Sequence, residues 1–235
     1  MSHPVIRGPL YAVVPAAGVG ARMGAGLPKQ YLTLSGLTLA EHTLKRLLAF
    51  APIEHVIVAV SAEDPWWPTL PVASHPRVQA VTGGATRAHS VRAGVERALQ
   101  LGGEQAWVLV HDMARPLLRW SDIQRLLDQC GPEGAILGRP VVDTIKLADA
   151  GPRISETLDR SRIWRALTPQ LFPAGALLAA LQGDPDSITD EASAMEQQGW
   201  QPALVTGHGD NIKVTEPEDL ALARFYLQQQ QEAAQ

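Results

Sequence analysis

"LYAVVPAAGVGARMGAGLPKQY" (residues 10–31) opens on a short apolar run and continues into a long glycine-rich segment. The run 10–15 lacks the polar alternation of a strand with one wet face. It reads as a strand buried on both sides, as in a parallel sheet. Three further runs share its character: "HVIVAVS" (55–61), "RVQAVTGG" (77–84) and "AWVLVHD" (106–112). Amphipathic stretches lie between them at 38–50, 87–100 and 121–130, the last with Ser121 as its candidate N-cap. Strand alternating with helix implies an α/β domain whose crossovers are right-handed.

The pattern changes after residue 134. Residues 134–170 hold no helical periodicity; "VVDTIKLAD" alternates, "AGP" turns, and "RISETLDR" reads as a returning strand. This predicts a β-hairpin arm over 139–162. Helices at 173–182 and 190–198, a strand at 202–208 and a helix at 217–229 complete the chain, with "QQQQEAAQ" as a frayed helix end. Thr189 is the expected N-cap of the 190–198 helix. No repeat or linker divides the chain, so 1–235 is expected to be one domain.

Composition narrows the partners. A net charge of -4 and a pI near 6.0 argue against holding nucleic acid by bulk attraction, and the six tryptophans form no stacking pattern. A lone cysteine, Cys130, excludes an intrachain disulfide and a cysteine-cluster zinc site. No apolar signal core or membrane-length run is present, which leads us to expect a cytoplasmic protein. Yet the first carboxylate is Glu41, while Arg22 and Lys29 sit in the glycine-rich segment. Local cations without local acids suit a bound polyanion.

The glycine spacing sets this loop apart from two common phosphate loops. Gly18 and Gly20 fit a dinucleotide fingerprint, but the third glycine falls at Gly24 where Met23 should be, and Pro28 interrupts the helix. Lys29 stands between Pro28 and Gln30, not before Ser or Thr as a Walker loop requires. The segment therefore reads as a long loop over the C-terminal edge of the sheet, where open α/β sheets take ligands. Ala16, Ala17, Gly18 and Gly20 let backbone N–H groups approach phosphate oxygens. Arg22 offers a planar fork and Lys29 a point charge.

"PAAGxGxRMG" followed by "PKQY" resembles the signature of nucleotidylyltransferases. The ordered set "GGATRAHSV", "VHDMARP", "DTIK", "ALTPQ", "TDEASAME" and "DNIKVTEPEDL" resembles the 2-C-methyl-D-erythritol 4-phosphate cytidylyltransferase family over nearly the whole chain. The resemblance implies a Rossmann-like, mostly parallel sheet of the nucleotide-diphospho-sugar transferase type, with helices on both faces and a protruding arm. It implies transfer of CMP from CTP to methylerythritol phosphate, with Mg²⁺ or another divalent cation such as Mn²⁺. It assigns the base to Gly84, Ala85 and Ser90, and the metal or triphosphate to Asp112, with Asp210 as a second metal candidate. Some relatives carry a carboxylate at Ala85, so only main-chain contact is open there. Arg115, Thr144, Arg160 and Thr168 supply guanidinium and hydroxyl donors for the polyol phosphate. Arg22, Lys29 and Lys213 offset charge at the reacting phosphates. His111 is expected to pack or hydrogen-bond and "TDEASAME" to be structural, while Arg87 is open between a part in the base-reading loop and a structural ion pair. The arm is expected to reach a neighbouring subunit of a homodimer.

Rival functions are a ribitol 5-phosphate cytidylyltransferase, a sugar-1-phosphate nucleotidylyltransferase using UTP or GTP, and a non-catalytic nucleotide-binding regulator. A NAD-dependent oxidoreductase fails on the glycine spacing.

Overall fold

The computed structural model describes residues 6–18, 27–183, 185 and 187–233. Strand β1 (Leu10–Pro15) is followed by a two-residue hairpin, β2 (Thr33–Leu34) and β3 (Leu37–Thr38), and by helix α1 (Leu39–Leu48). Then come β4 (Ile53–Val60), β5 (Val78–Thr82), α2 (Arg87–Gly102), β6 (Trp107–Val110) and α3 (Trp120–Gln129). The second half holds β7 (Ala135–Pro140), β8 (Ile145–Ala148), β9 (Ile154–Leu158) and β10 (Trp164–Pro173). Helices α4 (Ala174–Ala180) and α5 (Glu191–Gln197), strand β11 (Ala203–Thr206) and helix α6 (Pro217–Glu232) close the chain.

Seven strands form one sheet in the order β11-β7-β10-β6-β1-β4-β5. β1 lies between β6 and β4, parallel to both, and β10 alone runs against its neighbours β6 and β7. The four N-terminal strands fall where their apolar runs predict. The reason is visible along β1, where Ala12 and Val14 enter one core cluster and Tyr11 and Val13 the other. α1 and α3 cover the first face through Leu44, Leu47, Ile123 and Leu126; α2, α4 and α5 cover the second through Val91, Val95, Leu177 and Met195. α2 lies so close that a Cβ on Gly94 would stand 2.4 Å from Val13 Cγ1.

Several expectations need correcting. The 139–162 arm is shorter than read: β7 and β10 belong to the main sheet, and only β8 and β9 pair apart from it. Residues Trp164–Pro173 form a ten-residue strand where the sequence shows none, because Pro169 and Pro173 break a run that would otherwise read as one. Helix α3 begins at Trp120, one residue before the expected cap, with Arg119 as an N-cap that makes no side-chain bond. Helix α5 is capped by Asp190, not Thr189, since the Asp190 carboxylate accepts from Ser193 N in a reciprocal box. The acid-free N-terminal stretch ends for a local reason: Glu41 closes a capping box with Thr38 at the start of α1.

Candidate active site

The C-terminal ends of β1, β5 and β6 converge on one cleft with two lobes. The first, about 200 Å³, is lined by Ala16, Ala17 and Gly18 after β1, by Gly84, Ala85 and Ser90 after β5, and by Lys29, Asp112 and Lys213. Nine of the residues singled out in the sequence thus share one concave surface. Gly20 and Arg22 lie outside the described residues. The second lobe, about 230 Å³, is lined by Arg115, Thr168, Gln170 and Asp190 among others. Arg87, Asp112 and Lys213 border both lobes.

Gln30 shapes the first lobe, although nothing in the sequence marked it beyond its place in "PKQY". Its amide Nε2 donates to Ala16 O at 3.0 Å and to Gly18 O at 3.3 Å, from a side chain that is buried. Residues 16–18 after β1 are therefore held to the short 3-10 turn Lys29–Tyr31 that carries Lys29. Tyr31 anchors the same turn, its hydroxyl donating to Asp64 Oδ2 at 2.6 Å. On the other wall, Gly84 turns tightly before α2; a Cβ there would sit 2.4 Å from His89 Cβ. Ser90 Oγ accepts from Gly84 N at 3.2 Å and donates to Thr86 O at 3.1 Å. The Ser90 hydroxyl thus braces this loop.

Asp112 is the electrostatic centre. Lys213 Nζ lies 2.9 Å from its Oδ2, Arg87 3.1 Å from Oδ1, and Arg115 Nε 3.6 Å from Oδ2. Burial alone would raise this carboxyl, but the three cations prevail and hold it well below the usual carboxylate range. Arg87 also grips Glu191 with both prongs, at 2.5 and 3.1 Å. Burial raises the Glu191 carboxyl above its ordinary value even so. Hence "TDEASAME" is wired to the cleft: α5 holds Arg87, and Arg87 holds Asp112.

His111 is fully buried, and both ring nitrogens face protein oxygens. Its Nε2 faces Arg115 O at 3.1 Å, which can only accept, so that nitrogen carries the proton. Burial lowers its pKa to about 4, so the ring is neutral and Nδ1 accepts the Thr168 hydroxyl at 3.0 Å. The same Thr168 oxygen accepts from Asp112 N at 3.1 Å. This corrects the reading of Thr168 as a phosphate donor. It lines the second lobe, but its one proton is committed to His111.

Two other residues do not reach the cleft. Thr144 and Arg160 are exposed near the arm, where Arg160 Nη1 donates to Val142 O. Asp210 is also displaced from its expected role as a second metal ligand. Its Oδ2 takes two bonds from Arg119, at 2.9 and 2.5 Å, and one from Gln230 at 2.7 Å. Its place is structural, at the base of the loop that carries Lys213. Asn211 in that loop accepts from Arg115 Nη1 through its carbonyl and donates to Thr168 O, both at 2.8 Å. Arg115 Nε, in contrast, is buried without a hydrogen bond beside the second lobe. Cys130 is no nucleophile: burial pushes its thiol up to about 12, and it borders neither lobe.

The family model for 2-C-methyl-D-erythritol 4-phosphate cytidylyltransferase matches residues 10–229. The chain belongs to this cytidylyltransferase family. It is 52% identical over 226 residues to the cytidylyltransferase of that name from Actinobacillus pleuropneumoniae serotype 7, covering 95% of this chain and 98% of that one. With the Vibrio cholerae cytidylyltransferase it shares 53% over 227 residues, covering 94% and 97%. Among solved structures it resembles a 4-diphosphocytidyl-2C-methyl-D-erythritol synthase with a TM-score of 0.81, at 40% identity over 94% of this chain and 99% of the other. The Francisella tularensis cytidylyltransferase gives a TM-score of 0.79 at 31% identity, covering 92% and 99%. The cytidylyltransferase architecture therefore extends to the arm and the C-terminal helix.

Proposed function

We propose that the two-lobed cleft joins CTP to 2-C-methyl-D-erythritol 4-phosphate, releasing pyrophosphate and forming a diphosphocytidyl polyol for isoprenoid biosynthesis. One observation carries this reading: Arg87, Asp112 and Lys213 border both lobes, so two anions bound side by side would meet at a single charged boundary. The first lobe suits the nucleotide, with neutral backbone for the base near Gly84 and Lys29 for the triphosphate. The second suits a phosphate monoester, which the Arg115 guanidinium on its wall would meet.

A phosphate oxygen of the polyol attacks the α-phosphorus of CTP in line. The bond from that phosphorus to the β-phosphate bridging oxygen breaks, and pyrophosphate leaves with the electron pair. Nucleotidyl transfer of this kind asks the protein for alignment and charge, not for a nucleophile. Lys29 and Lys213 offset the charge on the two phosphates, and Arg22 is assigned the same task. Removing one such donor typically lowers turnover by a factor of roughly 10²–10³.

A divalent cation fits this site only in part through the protein. Among the described residues no group of three metal-ligating side chains exists, and Asp112 is the single carboxylate at the lobe boundary. That donor set suits Mg²⁺, which commonly binds one or two carboxylates together with substrate phosphates and water. Asp112 would hold it, and when bound the ion would neutralise phosphate charge. The arm is read as a dimer contact that brings Thr144 and Arg160 to the partner's second lobe. Among the described residues no helix is long and apolar enough to cross a membrane, which is compatible with a cytoplasmic site of action.

The decisive experiment measures pyrophosphate release with each nucleoside triphosphate, with and without methylerythritol phosphate, and with ribitol 5-phosphate in competition. Turnover needing both CTP and methylerythritol phosphate is expected. Preference for ribitol phosphate, or no turnover at all, would select a rival reading.

A further inference from the structure

A second cleft lies far from the first in lining, between α1, α3 and α6. Its volume is about 550 Å³ and it shares no wall residue with either lobe of the active site. That size lies within the usual range for small-molecule pockets. Its charge is unusual for this molecule: Lys45, Arg46 and Arg119 line it and no Asp or Glu does, in a chain of net charge -4. Its walls also carry apolar surface from Leu37, Leu227 and Trp120.

The donors differ in how far they are committed. Arg119 is held by Asp210, which offsets its charge, so the cations of the cleft without an ion pair among the described residues are Lys45 and Arg46. Arg46 uses only Nη1, on Leu118 O at 3.0 Å, among the bonds of the described residues. Lys45 is exposed. Helix α3, ten residues long, starts in this cleft without a side-chain cap, so the first-turn N–H groups at Trp120 and Ser121 add to the positive end of its dipole. Trp120 is fixed by its edge, Nε1 donating to Arg46 O at 3.1 Å, yet the residue remains 54% exposed. Cations alone would suit any small anion. Cations beside an edge-anchored indole and leucine side chains suit an anion with an apolar body.

We propose that this cleft binds an amphipathic organic phosphate. The phosphate is met by Lys45, Arg46 and the first turn of α3, and the apolar or planar body lies on Trp120 and the half-buried Leu37. The site is independent of the substrates' cleft.

Phenyl phosphate serves as the probe, added to the protein without nucleotide and followed by the ¹⁵N-indole resonance of Trp120, which is identified with Trp120→Phe and reports this cleft and not the substrates'. A saturable shift is expected. Lys45→Glu should weaken the affinity at least tenfold, as should Arg46→Gln. Lys45 is exposed and its side chain makes no bond among the described residues, so that variant keeps its fold, which a matching melting temperature verifies. Phenol and inorganic phosphate should each bind at least fivefold more weakly than phenyl phosphate. Absence of a saturable shift, or an unchanged Kd in Lys45→Glu, overturns the site. Inorganic phosphate binding as tightly as phenyl phosphate overturns the assignment of an organic ligand.

Discussion

Gln30 and His111 show how much single buried polar groups decide here. Truncating Gln30 to alanine removes the donor from two loop carbonyls and frees the Lys29 turn from the strand it is tied to. An unmet buried group costs about 1–3 kcal/mol, so kcat/KM for CTP should fall roughly tenfold to a hundredfold while the polyol phosphate KM stays within about twofold. Steady-state kinetics with each substrate varied in turn checks this; an equal rise in both KM values would mean a general loss of structure. His111 makes a prediction about pH. Its pKa is lowered to about 4, whereas the unfolded chain takes up the proton near the ordinary value of 6.5. Above 6.5 neither state is protonated and the neutral ring keeps its two bonds. As pH falls from about 6.5 to 4 the unfolded state gains a proton that the folded state refuses, and stability drops by up to about 3 kcal/mol. Urea midpoints measured between pH 7 and 4.5 should fall more steeply for the wild type than for His111→Gln. Parallel curves would show that His111 is not the group responsible. That His111 packs and hydrogen-bonds was legible in the sequence, but its tautomer and the Gln30 tether across fourteen residues were not, because they depend on which atoms meet, not on pattern.

Elements carry the next level of order, and they were read unevenly. β1, β4, β5 and β6 were legible because a strand covered on both faces must be apolar throughout. Of the nine first-lobe residues, Ala16, Ala17, Gly18 and Lys29 followed from the loop after β1, since loops at the C-terminal ends of parallel strands point to one crevice; the other five were implied by the family resemblance. β7 and β10 were not legible as sheet members. Only the three-dimensional path shows that residues on both sides of the hairpin return to the sheet, β10 antiparallel between β6 and β7. The tie between α2 and α5 was likewise hidden, since Arg87 and Glu191 stand 104 residues apart and each has a local role that explains it. Together they now define a rigid support behind Asp112. Glu191→Ala should unfold at lower urea, near the bottom of the roughly 3–5 kcal/mol range for a broken buried pair, because Arg87 keeps Asp112 and some water. Glu191→Gln keeps the volume and part of the hydrogen bonding, so it should be more stable than the alanine variant yet still show reduced turnover. A Glu191→Gln enzyme as active as wild type would confine α5 to a purely structural role.

The molecule as a whole sets the last requirement, because one chain does not bring every expected phosphate donor to its own cleft. Thr144 and Arg160 stand out in solvent with the arm, and so do Val142, Leu147 and Ile154, at 73%, 49% and 67% exposure. A two-stranded hairpin with so little covering is marginal in water by itself. Exposed apolar side chains on such an element mark a surface that gains by being buried. A second copy of the chain is the occupant we infer, since it would cover the arm and receive its donors together. Ile154→Asp combined with Leu147→Asp should therefore shift the protein from dimer to monomer in light scattering. The polyol phosphate KM should rise at least tenfold, while CTP affinity, set within one chain by the first lobe, changes little. Arg160→Ala should raise the same KM without dissociating the dimer, which separates the donor's role from the contact's. A wild-type protein that is monomeric at assay concentration and fully active would remove the shared site, and Thr144 and Arg160 with it.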